Sequence, residues 1–228
     1  SSSTQTLTKT AGSINAFSEW YDTGAGDLAL VANFSASQAL NPDSATDFNF
    51  VPTAFTFTSG SLVMDSGDVF TPNGPSLYSF ITVNLTGGTF NPTASTSIAT
   101  LTINGGTFNA ASNSTTTVTG NFTYTSGTFN HNSGIMYFAI PGSVTITPNA
   151  AVFNNVTFDF PGSSSAAITA SIASDMTIAG NLSVQSTNTS SGSYVIRSSV
   201  SGTTRAINVA GDLIFPTTSS TASAYLGD

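Results

Sequence analysis

The phrase Thr86-Gly87-Gly88-Thr89-Phe90-Asn91 returns as Asn104-Gly105-Gly106-Thr107-Phe108-Asn109 and again as Thr125-Ser126-Gly127-Thr128-Phe129-Asn130. The copies lie 18 and then 21 residues apart. That period is too short for a two-helix repeat and too long for one hairpin strand. It suits one coil of a β-solenoid, in which each unit buries its apolar face only by stacking on the next. The two small residues let the backbone turn where a Cβ would clash, and the residues after them re-enter an extended strand. Phe90, Phe108 and Phe129 are therefore expected in an inward column, ring over ring. Asn91, Asn109 and Asn130 follow one place later, where side-chain amides can bond from coil to coil in a ladder. A β-sandwich whose strands share turn chemistry is the alternative fold.

Composition points the same way. With 228 residues the chain is long enough for one large all-β domain. Charged residues make up only 6%, against 39% hydrophobic, and 36 Ser and 37 Thr supply the surface that ions usually supply. Strand formers such as Thr, Val, Ile and Phe abound, while good helix formers are scarce. The net charge of −8 sets eleven carboxylates against Lys9, Arg197 and Arg205. No basic patch exists to neutralise a phosphate backbone or an anionic membrane, so nucleic acid is excluded as an expected partner. No apolar run approaches the roughly 20 residues of a transmembrane helix. Cysteine is absent, which excludes disulfides and thiolate metal sites. A start at Ser1 without Met fits a chain whose secretion signal has been removed. Together with the Ser/Thr/Asn-rich, Lys-poor make-up, it places the expectation outside the cell.

Three regions are expected along the chain. Residues 1–16 alternate Thr4, Thr6, Thr8 and Thr10 against Gln5, Leu7 and Lys9, and are expected to form an arm that could donate a strand to a neighbouring subunit, a disordered tail being the plainer reading of the same stretch. Residues 17–75 hold seven of the acids and the only tryptophan, Trp20. They are expected to form an atypical N-terminal β cap that shields the first rung. Residues 76–228 are the solenoid body. Within it Ile98 to Ile103 and Val118 to Tyr124 alternate with period two. A second phrase recurs as Gly120-Asn121-Phe122-Thr123-Tyr124, Gly180-Asn181-Leu182-Ser183-Val184 and Gly211-Asp212-Leu213-Ile214-Phe215. Its side-chain oxygen is expected to cap a corner before each strand. A serine-rich insertion, Ser186 to Ser193, interrupts the last third.

The Gly-Gly-Thr-Phe-Asn and Gly-Asn-Leu-x-Val phrases resemble the degenerate repeats of secreted bacterial surface proteins with right-handed parallel β-helices. These are the autotransporter passengers and the filamentous-haemagglutinin-type adhesins. The opening Phe17-Ser18-Glu19-Trp20 is similar to the start of such arrays. The resemblance spans Phe80 to Phe215. It implies a surface or fibre role and transfers no catalytic residue.

Reactive side chains are few. His131 is the only histidine, so a histidine triad or multi-histidine zinc site is excluded within one chain, and a solvent-facing turn is its expected place. Asp22-Thr23-Gly24 matches the phrase around an aspartic-protease carboxylate, but only one copy exists where two must share a proton. Asp22 with Asp27, and Asp65 with Asp68, are candidate calcium ligands, because acidic glycine loops can wrap a hard cation. Turn aspartates capping backbone amides are the plainer reading of the same residues. A polysaccharide lyase would need Arg197 or Arg205 beside carboxylates, and a hydrolase two facing carboxyls. Asp159, Asp175 and Asp212 are scattered in sequence. Trp20, Tyr21 and Tyr78 are candidates for stacking on sugars. Seven Asn-x-Ser/Thr sites occur, at Asn33, Asn84, Asn113, Asn121, Asn155, Asn181 and Asn188, about the number that chance gives a chain so rich in these residues. The expectation is an all-β, non-enzymatic, extracellular structural protein that self-associates into a fibre, sheath or surface layer. A cell-surface adhesin or carbohydrate-binding module that takes surface glycans is the second reading, and a polysaccharide-degrading β-helix the third.

Overall fold

The computed structural model describes residues 5–6, 14–15, 28–32, 39–41, 49–50, 54–57, 61–64, 69–70, 78–163, 165–200, 202–216 and 223–227. Among them every regular element is a strand, and the chain winds as a parallel β-solenoid. On its first face Tyr78 pairs with Thr96, Thr96 with Thr116, Thr116 with Met136, Met136 with Val156 and Val156 with Leu182. A coil thus takes 18 residues, then 20 three times, then 26, and 31 from Leu182 to its partner Leu213. The lengthening is absorbed at corners. The coil from Leu182 to Leu213 carries both the serine-rich insertion and an antiparallel hairpin, Ser199–Val200 with Thr203–Thr204.

Strands turn twice per coil to make three faces. The strand Thr96–Asn109 runs through all three by itself. The second face stacks Val83, Leu101, Phe122, Ile146 and Ile172, and the third stacks Phe70, Phe90, Phe108 and Phe129. Alternation puts these side chains inside, where they fuse into one continuous core. Parallel pairing also runs through the strands within residues 17–75, the stretch expected as a cap. Leu28–Ala32 pairs with Ala54–Phe57, Ala39–Asn41 with Ser61–Met64, and Asn49–Phe50 with Val69–Phe70. Gln5–Thr6 and Ile14–Asn15, from the expected arm, pair in parallel with Leu28–Ala29 and Leu40–Asn41.

The phenylalanine column is present as the repeat predicts. Ring centroids lie 5.5 Å apart from Phe70 to Phe90, 5.4 Å from Phe90 to Phe108 and 5.7 Å from Phe108 to Phe129. Phe153 then meets Phe129 edge-on at 5.3 Å, and the column passes to Ile178 and Val209. The asparagine ladder is present too. Asn109 Nδ2 donates to Asn91 Oδ1, and Asn130 Nδ2 donates to Asn109 Oδ1 at 2.6 Å. In the second phrase the side-chain oxygen does something other than cap its own corner. Asn121 Oδ1 accepts from the Thr145 N–H and Asn181 Oδ1 from the Asp212 N–H, both at 2.9 Å, so these two corners are tied to the coil after them, as is Asn155, whose Oδ1 accepts the Asn181 N–H at 2.8 Å.

Asn109 stands in the middle of its ladder, and Asn109→Ala removes both bonds. Its unfolding free energy is expected to fall by about 2 kcal/mol, two hydrogen bonds' worth. Urea denaturation checks this against Thr107→Ala, an outward change on the same coil expected to stay within about 0.5 kcal/mol of the parent.

Candidate functional site

The calcium candidates Asp22, Asp27, Asp65 and Asp68 lie outside the described residues, as do Trp20 and Tyr21. The chemistry-bearing groups that the structure does describe are dispersed. His131 is half-exposed in a turn, where its Nδ1 accepts the Ser133 N–H at 3.1 Å. Asn132 and Ser133 there adopt positive φ. Asp175 Oδ1 accepts the Ala206 N–H at 3.0 Å, a corner tie like those of the asparagines. Arg197 is exposed at the end of Ser193–Arg197. Arg205 is half-buried, its Nε enclosed without a hydrogen-bond partner. Among the described residues no three His, Cys, Asp or Glu side chains come together in a way that could hold a metal ion.

One polar cluster was not foreseen. Asp159, only 2% exposed, receives the Tyr137 hydroxyl on Oδ2 and the Thr187 N–H on Oδ1 at 2.8 Å; the Thr187 hydroxyl also reaches Oδ2 at 2.8 Å. A buried carboxylate needs such donors to offset its lost hydration. Tyr137 and Asp159 sit on successive coils, the first pairing with Thr157 and the second with Ala139. Thr187 is the second residue of the serine-rich insertion, which is laced down further by Ser186 Oγ to the Phe160 carbonyl and Ser190 Oγ to the Ser163 carbonyl. The cluster is a clasp for that loop. A spacing of 22 residues between a tyrosine and an aspartate is meaningful only once the coil length is known.

Burial, and then the Asp159 carboxylate beside it, push the Tyr137 hydroxyl from 10.0 up to about 12. Because the folded value lies above the unfolded one, the protonated phenol stabilises the fold fully below pH 10, and that contribution is lost as pH rises through 12. Tyr137→Phe is accordingly expected to be less stable than the parent at neutral pH. The gap should close in alkali, as a series of urea melts from neutral to strongly alkaline pH will read.

The Asn-x-Ser/Thr sites separate by environment. Asn188 is fully buried, while Asn121, Asn155 and Asn181 have their side-chain oxygens engaged by the next coil. Asn113 is exposed in a left-handed turn. No helix among the described residues is long and apolar enough to cross a membrane. The chain matches no protein-family model, no curated protein and no solved structure.

Proposed function

We propose that this protein is a non-enzymatic structural subunit of an extracellular fibre, sheath or surface layer, built by end-to-end association of solenoids. The reading rests on one observation. The parallel ladder runs unbroken on the second face from Ile14–Asn15 to Ser223–Gly227, reinforced on the third by aligned phenylalanines and asparagines. Sequence identity between coils is spent on side chains that hold one layer to the next, which yields a stiff rod. Association that adds coil upon coil extends the same hydrogen bonds between subunits, and a head-to-tail contact of that kind builds an open filament.

Residues 1–14 supply the strand Gln5–Thr6, which among the described residues pairs on one side only, with Leu28–Ala29. That strand is the natural place for a neighbouring coil to add. Sedimentation of the purified chain over a concentration series, with electron microscopy, should show filaments or sheets that deletion of residues 1–14 shortens or abolishes. A chain that stays monomeric at high concentration, and is unchanged by the deletion, removes the reading.

A further inference from the structure

The outward rows of the second face carry a pattern that the stacking of coils does not require. Val83, Leu85, Leu101, Ile103, Phe122 and Ile146 point inward and are fully buried, so the residues between them face out. One outward row is Asn84, Thr102, Thr123 and Thr147, each in register with the next. Beside it Thr82 pairs with Thr100, and Thr145 with Ser171. Asn121 bridges the two pairs, since the Leu101 N–H donates to its carbonyl and its Oδ1 accepts the Thr145 N–H. Four successive coils therefore present Thr-x-Asn, Thr-x-Thr, Asn-x-Thr and Thr-x-Thr, with no charge and no aromatic ring in either row.

The other two faces are less uniform. On the first, the corresponding row contains the half-buried Tyr137 leaning on Asp159, and the exposed Ile135 lies beside it. On the third, Thr89, Thr107 and Thr128 align, but the neighbouring asparagines bond to one another.

Spacing gives the second face its meaning. Coils of a parallel sheet repeat at about 4.8 Å, and alternate residues along a strand at about 6.6 Å. In tetrahedrally bonded water, two oxygens sharing a hydrogen-bonded neighbour lie about 4.5 Å apart, given O–H···O bonds of about 2.75 Å. Strands in that register repeat within a few tenths of an ångström of that interval, and carry their threonines at it. Threonine is stiff at χ1, so its hydroxyl and methyl recur at fixed places on each coil. Binding a sugar polymer would draw on aromatic platforms, and binding an ionic partner on charge. These rows offer neither until Arg197, beyond Ser171. A neutral, periodic field of hydroxyls and methyls, with the amides of Asn84 and Asn121 among them, fits a partner that is itself a neutral lattice of hydrogen-bonded oxygens.

We infer that the second face, centred on Thr100, Thr102, Thr123 and Thr147, binds the surface of ice. Water ordered over the methyl groups and bonded to the hydroxyl rows merges with the crystal lattice, and the backbone ladder holds the rows in register against it. The inference concerns the side of the solenoid and stands apart from assembly at its ends. Its test is partition of the full chain into a slowly growing ice ball, together with the shape of single crystals grown in its presence. The parent chain is expected to enter the ice and facet the crystals. Thr102→Tyr and Thr123→Tyr, which leave the core untouched, are expected to fall to the level of a non-binding control protein with unchanged circular dichroism and melting temperature. Thr117→Tyr on the first face should partition like the parent. Exclusion of the parent from ice, or equal incorporation of the second-face variants, overturns the inference. So does retention of the parent on insoluble cellulose or chitin without entry into ice, or a self-association abolished by Thr102→Tyr in its place.

Discussion

Phe108→Ala is expected to lower the unfolding free energy by about 4 kcal/mol, within the range for deleting a buried phenylalanine. The ring is fully buried, with Phe90 on one side at 5.4 Å and Phe129 on the other at 5.7 Å. A cavity left there cannot collapse along the solenoid axis, because the same three residues are locked in register by the backbone ladders of their own strands. It cannot readily close from the side either, since Phe122 already packs edge-on against Phe129 at 6.1 Å. Coils interact with nearest neighbours only, so the loss also weakens the cooperativity that carries unfolding from one end to the other. Urea unfolding should therefore show a lower midpoint and a shallower slope. Ile135→Ala, at an outward position 39% exposed, is expected to cost no more than about 0.5 kcal/mol. Equal costs for the two would mean that the aromatic column does not hold the coils together.

How much of this was legible in the sequence follows from what a repeat records. Identical phrases state that identical environments recur, so the columns of Phe90, Phe108 and Phe129 and of Asn91, Asn109 and Asn130 could be read directly, as could the parallel stacking they demand. Register between unlike residues could not. Tyr137 and Asp159 share no phrase, and only the coil length of that region, set by corners such as Pro141 and Pro148, brings them together. The threonine rows were hidden for a related reason. Thr82, Thr102, Thr123 and Thr147 sit in segments whose apolar residues differ from coil to coil, and period-two alternation makes any threonine look like ordinary surface. Their alignment becomes visible only when the pairing is known. The second phrase shows the reverse error. Gly180-Asn181 was legible as a corner, yet a side-chain oxygen that caps its own turn and one that reaches the next coil require the same residue. Among the residues of candidate chemistry, His131 fell where a lone histidine after a turn phrase should, while the four acids of the candidate calcium loops lie outside the described residues.

The second large effect is expected at Gly106. A Cβ there would overlap the Gly87 carbonyl oxygen of the preceding coil, and would lie 2.9 Å from both the Gly87 carbonyl carbon and the Leu85 Cβ. None of these is the free end of a side chain, so only backbone movement can make room. That movement is opposed by the Thr107 N–H, which donates to the Gly88 carbonyl at 2.8 Å, and by Phe108, packed against Phe90, one residue later. A Cβ at Gly127 would in turn overlap the Gly106 carbonyl oxygen, and Gly127 has a φ of 99° that side chains rarely adopt. The glycines thus set how closely three coils approach, and the repeat keeps them for contact as much as for turning. Gly106→Ala is expected to cost about 3 kcal/mol, the upper part of the range for overpacking a tight site. Hydrogen exchange should show the amides of Thr107 and Asn109 losing protection ahead of those on the first face of the same coil. Gly142→Ala is the control, because a Cβ there meets nothing within 4 Å, and loss of unfolded-state freedom should leave it equal to the parent or slightly more stable. If the two variants melted alike, close approach of backbones at the corner would not be what the glycine in the phrase secures.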